Sequence, residues 1–454
     1  MLNGKVYVVT SPDLITAVNR NSKALAFNPF IAQLGKRITG HTDATSQIVQ
    51  HNLNGEDGPG YVIEVHDGLV ATLSPGRDLE HMTEAMLIEA TRLLDILGTE
   101  NEVELFGWIR HTVTMCSTQA IYGPANPFNQ DPAFVGLFWC VRYNQRRLYM
   151  AHRDLRDFDH DLNLLIADIL PSILAPKGNH ARSVLGSAFK EYFMHYDLER
   201  SQSSAMIKAR YSANVKHGVS FHDQGRLEVG TLLGILANTV PSAFYMICRI
   251  YSDEVLLHDV RRELETTCVN KSSDQRSWTL NILAMREKSQ LLYSTFQELL
   301  RVHAMGAGSR YVREDVLLHE RHLLKKGMVV QMPMAIMHSD PRIWGTNVND
   351  FQPQRFLKQA DVIKDNKSQS VAYRPFGGGV SMCPGRHFVT LEVMALTALM
   401  VLRFDIIPSG DIWHIPAQKQ ESLATNVFPP EMDIRVKFKL REGFDDIDWH
   451  FAML

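Results

Sequence analysis

One segment decides the fold of this 454-residue chain: Phe376-Gly377-Gly378-Gly379-Val380-Ser381-Met382-Cys383-Pro384-Gly385. It sets Cys383 in a glycine-rich loop, directly before an apolar stretch that reads as a helix. Glycines let the backbone turn tightly and aim N–H groups at the sulfur. Pro384 suits the first position of a helix, so we expect the helix to start at or beside Cys383, where its positive end would stabilise a thiolate. The segment therefore predicts a thiolate that binds a metal from one side.

Other kinds of site that use glycine or cysteine fit this segment poorly. A dinucleotide-binding loop needs a third glycine at position 382, which is Met, and a strand that leads into the loop. A zinc site needs a second nearby cysteine or a pair of histidines, and none stands at a suitable spacing. A buried free cysteine without a function is the alternative that stays open.

The segment resembles the haem-ligand loop of the cytochrome P-450 family, whose pattern is F-x-x-G-x-[RH]-x-C-x-G. Four positions match the pattern: Phe376, Gly379, Cys383 and Gly385. Ser381 stands where the family usually has an Arg or His that contacts a haem propionate. The resemblance implies that Cys383 is the axial ligand of heme b and that Gly377 and Ser381 also belong to the cofactor site. A thiolate on haem iron favours O–O cleavage of bound O2.

A second motif, Glu298-Leu299-Leu300-Arg301, places two opposite charges three residues apart on one helix face. Taken alone it is compatible with a solvated surface pair. The segment Phe351-Gln352-Pro353-Gln354-Arg355-Phe356 follows at the spacing that the family shows, and residues 337–345 between them also resemble the family. The resemblance implies that Glu298, Arg301 and Arg355 form a buried network that braces the proximal face of the haem, since buried charges persist only when they are paired.

Arg310, in the segment Gly308-Ser309-Arg310, matches a residue that usually holds a haem propionate in the family. We expect Arg310 to compensate in part for the missing basic residue at Ser381. An ordinary exposed arginine on a strand is the alternative reading.

The apolar stretch from Leu227 to Tyr251 predicts a buried helix, because it is too long for one strand. Its middle reads Gly234-Ile235-Leu236-Ala237-Asn238-Thr239-Val240-Pro241. Most monooxygenases of the family place an acid and a Thr here to relay protons. By the same motif, Ala237 takes the acid position and Asn238 the Thr position, and Thr239 follows them. The Ala-Asn-Thr-x-Pro run resembles the branch that contains sterol 7α-hydroxylases and prostacyclin synthase. That branch includes hydroxylases and an isomerase, so the reaction type stays open.

Pro241 removes a backbone donor and is expected to kink the helix beside the haem. We predict that Asn238 lies over the distal haem face and orders a water or bound oxygen. The alternative is a packing role in which Asn238 bonds to a carbonyl that the proline frees. By resemblance, substrate contacts come from the loop region 27–66, from residues 304–309 and from the turn Ala424-Thr425-Asn426; the apolar residues of the first region are Phe27, Phe30 and Ile31.

The composition describes an ordinary globular protein, 45% hydrophobic with a formal net charge of −3. It points away from disorder and from nucleic-acid binding. The cysteines, at positions 116, 140, 248, 268 and 383, are odd in number and scattered, so they predict no disulfide framework and a reducing compartment. No run of roughly 18 consecutive apolar residues occurs.

Apolar spacing predicts a mainly α protein with small β-sheets. Helices are predicted at 77–97, 102–121, 227–251, 253–268, 289–305 and 385–402, and within 131–205 with breaks at Pro171, at Pro176-Lys177-Gly178 and around Gly186. Strands are predicted at 5–9, 310–318, 328–336, 404–407 and 432–439. The family resemblance implies one haem domain over residues 1–454. By the same resemblance, the chain is expected to begin after the membrane anchor, first helix and first strand of eukaryotic members.

The segment Ile121-Tyr122-Gly123-Pro124-Ala125-Asn126-Pro127-Phe128 resembles filamentous-fungal members that tailor natural products. The resemblance implies a monooxygenase that inserts one oxygen atom into a hydrophobic terpenoid, steroid or alkaloid intermediate. Electrons would come from NADPH through a separate reductase, with cytochrome b5 as a further candidate partner, at the cytoplasmic face of the endoplasmic reticulum membrane. Two alternatives stay open: a redox-neutral isomerase or dehydratase that acts on an oxygenated lipid, and an inactive haem-binding remnant.

Overall fold

A computed structural model describes residues 5–97, 102–139, 158–198, 201–274, 276–357, 367–419, 425–444 and 447–453. Cys140, Ala424 and the middle of the predicted helical region 131–205 lie outside these ranges. In the described part the chain is rich in helices and carries small sheets, so the predicted fold class is confirmed.

The helices cover most of the described chain. They are α1 (Pro12–Arg20), α2 (Asn28–Thr39), α3 (Asp43–Gln50), α4 (Tyr61–Leu73), α5 (Arg77–Asp95), α6 (Leu105–Tyr122), α7 (Pro127–Gln130), α8 (Ala133–Trp139), α9 (Phe158–Ala167), α10 (Pro171–Leu174), α11 (Pro176–His195), α12 (Ala205–Lys216), α13 (Phe221–Tyr251), α14 (Glu254–Thr267), α15 (Ile282–Lys288), α16 (Gln290–His303), α17 (Met334–His338), α18 (Pro341–Trp344), α19 (Lys367–Ala372) and α20 (Arg386–Arg403).

The strands are short. They are β1 (Val6–Val8), β2 (Leu25–Ala26), β3 (Glu102–Glu104), β4 (Val269–Lys271), β5 (Ser277–Asn281), β6 (Ala307–Val312), β7 (Val316–Leu318), β8 (His322–Leu324), β9 (Val329–Pro333), β10 (Phe404–Pro408), β11 (Arg435–Leu440) and β12 (Asp448–Ala452). They form sheets in the orders β1-β9-β6-β2, β10-β11-β3 and β12-β5-β4, with β7 and β8 as a hairpin. In the first sheet β6 runs antiparallel to β9, which pairs Arg310 with Val330.

The long helix α13 lies at the centre of the core, packed against α11, α6, α2, α16 and α20. Its closest neighbour is α11, where glycines let the two backbones meet. A Cβ atom on Gly225 would lie 2.1 Å from the carbonyl oxygen of Gly186. The helix is long and apolar enough to cross a membrane, but 78% of its most apolar window is buried inside the protein. It therefore reads as the core helix of the fold.

Several predictions about local structure were wrong. Gly186 does not interrupt α11, because its small size serves the contact with α13. By contrast, the helices do break at Pro171 and Pro176 as predicted, because Pro171 occupies the first turn of α10 and Pro176 that of α11. Residues 27–66 are mostly helical in α2, α3 and α4, where a loop was predicted. Residues 310–318 form two strands, β6 and β7.

Candidate functional site

The loop before α20 wraps around the Cys383 sulfur. Gly377 and Gly379 take positive φ values of 78° and 62°, which other residues rarely adopt. The Cys383 amide donates to the Phe376 carbonyl at 2.9 Å and closes the loop. Burial raises the pKa of the Cys383 thiol, while the backbone amide of Gly385 and the Arg386 charge act in the opposite direction. The amides that favour the thiolate belong to Gly385 and Arg386, shortly after the cysteine, and a metal-bound thiolate needs such donors.

The helix that follows begins later than expected. Gly385 is the N-cap of α20 and Arg386 its first residue, so Pro384 belongs to the turn and not to the helix. The Arg386 side chain donates from Nη1 to the Cys383 carbonyl at 3.0 Å. The first turn of α20 therefore lies beside the cysteine through its backbone amides and through one side chain.

Arg310 reaches from β6 to the ligand loop. Its side chain is almost fully buried, and Nη2 donates to Ser381 Oγ at 2.5 Å and to the Gly378 carbonyl at 3.3 Å. Nη1 donates to the Ser309 carbonyl at 2.8 Å. The structure therefore brings Arg310 to the serine that replaces the usual basic residue of the loop, and excludes an exposed strand arginine.

A second buried arginine, Arg374, accompanies Arg310. Burial, followed by the positive charge of Arg374, lowers the pKa of Arg310 to about 10. Arg374 is 6% exposed, and burial lowers its pKa too. Within the described residues no carboxylate pairs with either guanidinium, and Arg310 Nε has no hydrogen-bond partner. Two buried cations without a counter-ion fit an anionic ligand such as the two propionates of a haem.

Glu298, Arg301 and Arg355 meet in one buried network. Arg301 donates from Nε and Nη2 to the two carboxylate oxygens of Glu298 at 2.7 and 2.8 Å. Arg355 Nε donates to the same carboxylate at 3.0 and 3.1 Å, and the Gln352 amide adds a further bond at 2.9 Å. The Glu298 side chain is 0% exposed and those of Arg301 and Arg355 are 2% and 10% exposed. The pair is therefore not a solvated surface pair.

The network also holds neighbouring backbone in place. Arg301 Nη1 donates to the His338 carbonyl at 2.7 Å, and Arg355 Nη1 donates to the Trp344 carbonyl at 3.0 Å. His338 in turn accepts the Arg374 amide at its Nε2, at 3.1 Å. These bonds connect α16 with the segment that leads to the ligand loop.

The distal helix presents its predicted residues in different ways. Ala237 is buried and carries no polar group, and the Thr239 hydroxyl donates to the Ile235 carbonyl inside the helix at 2.6 Å. Asn238 Oδ1 accepts the backbone amides of Asn426 and Val427 at 2.7 and 3.1 Å. In the described part of the chain the Asn238 side chain makes these two bonds and none to a carbonyl that Pro241 would free. The structure assigns α13 as one continuous helix through Pro241.

The three predicted substrate-contact regions differ in exposure. Phe27 and Phe30 are half-buried at the start of α2, and Ile31 is 42% exposed. Met305, from the segment 304–309, donates its amide to the Asn426 carbonyl at 2.7 Å, so the second and third regions touch. The Thr425 side chain is buried, and its hydroxyl has no hydrogen-bond partner among the residues that the structure describes.

The sequence reasoning missed Arg374 and the bonds between Asn238 and the turn at 425–427. Arg374 stands two residues before Phe376, so a basic residue next to the loop motif was an available signal. The Asn238 bonds had no such signal, because their partners lie 188 and 189 residues away in the sequence.

Comparisons with known proteins agree with this geometry. A sequence model of the cytochrome P-450 family matches residues 70–432. A cytochrome P-450 monooxygenase of Hypoxylon pulicicidum is 30% identical, over 99% of this chain and 84% of that relative. One of Gibberella zeae is 25% identical, over 100% and 83%. A cholesterol 7-alpha-monooxygenase of Cricetulus griseus is 25% identical, over 63% and 58%. The chain therefore belongs to the cytochrome P-450 family, as an oxidoreductase of the monooxygenase class.

Proposed function

We propose that this protein inserts one oxygen atom from O2 into a hydrophobic terpenoid, steroid or alkaloid intermediate of fungal secondary metabolism. The observation that carries the proposal is the partly buried Cys383 at the end of the glycine loop, where the backbone amides of Gly385 and Arg386 favour its thiolate form. When bound there, heme b supplies the activation of O2, and the Cys383 thiolate is its axial ligand. Electrons come from NADPH through a separate reductase, with cytochrome b5 as a further candidate partner.

The remaining residues of the site hold the cofactor. Arg310 and Arg374 neutralise the haem propionates, since each is buried without a carboxylate partner in the described part of the chain. Ser381 fixes the Arg310 guanidinium through the bond at Oγ. Glu298, Arg301 and Arg355 keep the segment before the loop rigid on the proximal side.

The organisms of the relatives support the metabolic setting. The first two relatives are fungal proteins whose names state a monooxygenase, and they align with nearly all of this chain. Neither name states a substrate. The cholesterol 7-alpha-monooxygenase name supports a polycyclic, apolar substrate as one candidate class.

A second candidate function is a redox-neutral isomerisation or dehydration of an oxygenated lipid. One observation favours it: Ala237 stands where most monooxygenases of the family have an acid, and the Thr239 hydroxyl is engaged within the helix. The two functions differ in their need for reductant, because only oxygen insertion consumes electrons from NADPH.

We also propose that the protein works at a membrane surface, at the cytoplasmic face of the endoplasmic reticulum. Support comes from a cluster of exposed apolar side chains around α10, of which Ile169, Leu170 and Ile173 are 62%, 62% and 68% exposed. Apolar side chains exposed together are costly in water and typical of a surface that contacts another phase.

The test is reconstitution of the haem-loaded chain with a reductase and NADPH. Candidate intermediates are added singly and the products are weighed by mass spectrometry. A product heavier by one oxygen atom, labelled from 18O2 and formed only with NADPH and reductase, supports the monooxygenase. A product formed without reductase, of unchanged mass or lighter by one water, supports the isomerase or dehydratase and refutes the first proposal.

A further inference from the structure

The turn at residues 425–427 is held in place by groups from two other elements. On one side, Asn238 of α13 accepts the amides of Asn426 and Val427 with its carboxamide oxygen. On the other side, the Met305 amide donates to the Asn426 carbonyl at 2.7 Å, and Ala304 forms a β-bridge with Val427. Within the described residues the turn lies in no helix or strand, and these contacts fix its position.

Gly306 makes room for this arrangement. A Cβ atom at position 306 would lie 1.9 Å from Asn426 Oδ1 and 3.0 Å from Asn426 Cα. Contacts this short require Asn426 to move. The absence of a side chain at Gly306 therefore lets the turn lie flat against the segment that follows α16.

The bonds also decide what Asn238 is able to do chemically. A carboxamide oxygen has two lone pairs, and both are used here by backbone N–H groups. The Asn238 NH2 group donates to no group in the described part of the chain, and a carboxamide does not release a proton at ordinary pH. Asn238 therefore offers hydrogen-bond donors only, whereas the Thr expected at this position has a hydroxyl that donates and accepts.

We infer that Asn238 is a positioning residue, which fixes the turn 425–427 against the distal helix and so sets the shape of the substrate cleft. The inference rests on the proposed function, because that function makes the turn part of the cleft. The predicted role of Asn238 in ordering a water or bound oxygen stays a prediction, and it would fall to the NH2 group because the oxygen is used by the turn. The contact between Asn238 and the turn, called the clamp here, needs only an acceptor at position 238. Its effect can therefore be separated from that of the NH2 donor.

Three substitutions separate these contributions. Asn238→Ala removes both the acceptor and the donor. Asn238→Asp keeps an oxygen that accepts the two amides and removes the NH2 group. Gly306→Ala leaves Asn238 intact and displaces Asn426 from the opposite side. Gly234→Ala is the matched control, since a Cβ atom at this exposed position of α13 meets nothing within 4 Å.

The first measurement is hydrogen–deuterium exchange of the haem-loaded chain, resolved at the amides of Asn426 and Val427 by mass spectrometry with electron-transfer fragmentation. Loss of two neutral hydrogen bonds predicts an increase in their exchange rate on the order of tenfold or more in Asn238→Ala. Gly306→Ala should show a similar increase. Asn238→Asp and Gly234→Ala should stay close to the unsubstituted chain.

The second measurement is binding of two azole probes, followed by the shift of the haem absorption. Affinity for 4-phenylimidazole, whose ring extends into the cleft, should fall in Asn238→Ala and Gly306→Ala and be restored in Asn238→Asp. Affinity for imidazole, which reports the iron alone, should stay unchanged in all variants.

The outcomes separate this inference from the proposed function. If haem-loaded Asn238→Ala and Gly306→Ala both retain slow exchange at the two amides, Asn238 does not position the turn. Fast exchange in Asn238→Asp as well would likewise refute a clamp that depends on the acceptor. An unsubstituted haem-loaded chain that forms its product without NADPH or reductase and without added oxygen would refute the proposed function, while the exchange comparison would still decide the role of Asn238 in the turn.

Discussion

Removal of the Glu298 carboxylate is the strongest test of whether the buried ion-pair network stabilises the folded state. Glu298 is fully buried and accepts bonds from Arg301, Arg355 and the Gln352 amide. Glu298→Ala leaves two buried guanidinium groups without a counter-charge. Breaking a buried ion pair costs about 3–5 kcal/mol, which lowers the folding equilibrium constant about 10²–10⁴-fold. Because whole domains are stable by only about 5–15 kcal/mol, the variant should accumulate little folded, haem-loaded protein.

The assay compares haem content and urea unfolding of Glu298→Ala, Glu298→Gln and Glu287→Ala. The Gln variant keeps the shape and one acceptor oxygen, so it should fall between the unsubstituted chain and Glu298→Ala. Glu287 pairs with Arg286 at the surface, where its side chain is 62% exposed, and its removal should change little. Full haem content and an unchanged unfolding midpoint in Glu298→Ala would show that the two arginines do not depend on this carboxylate, and would refute the reasoning.

Three further predictions concern the cofactor and pH. Cys383→Ala should abolish the thiolate-type spectrum of the reduced, CO-bound protein and Cys268→Ala should retain it; a surviving spectrum in the first variant would make the ligand assignment wrong. Arg310→Gln should release haem to apomyoglobin faster than the charge-preserving Arg310→Lys, because charge-assisted bonds are about twice as strong as neutral ones; equal rates would place the propionates elsewhere. Burial raises the pKa of Glu392 from 4.5 to about 8, with the Ser117 bond acting against it. The folded state therefore keeps a proton that the unfolded state has lost between these pH values, so stability should fall as pH rises through this window. Glu392→Gln should flatten that part of the melting-temperature profile, and an unchanged slope would contradict the assignment.

The parts of the fold that were predictable from sequence are those that a local pattern specifies. The α13 stretch is too long and too apolar for one strand, which predicts a helix, and Glu298 and Arg301 are neighbours on one helix turn. The loop around Cys383 depends on glycines that are adjacent in the chain. In each case the interacting residues lie within about ten positions, so the sequence alone reports their geometry.

The parts that were not predictable depend on contacts between distant segments. Strand β12 pairs in parallel with β5, so residues 448–452 meet residues 277–281 across a long stretch of sequence that no local pattern connects. Gly186 reads as a helix breaker by propensity, yet the contact with Gly225 overrides that preference. The start of α20 at Arg386 likewise reflects the turn that Pro384 and Gly385 make around the sulfur.

The distal side shows why the reaction type is harder to derive than the cofactor. Insertion of one oxygen atom from O2, with the other released as water, consumes two electrons and two protons, whereas an isomerisation consumes neither. The segment 237–239 offers no acid: Ala237 has no polar group, the Thr239 hydroxyl bonds within the helix, and the Asn238 oxygen is used by the turn. Protons for oxygenation must then come from outside this segment, and the Asn238 NH2 group can orient an acceptor on that path but cannot supply the proton. The amount of NADPH consumed for each molecule of product is therefore the property that separates the two candidate reactions.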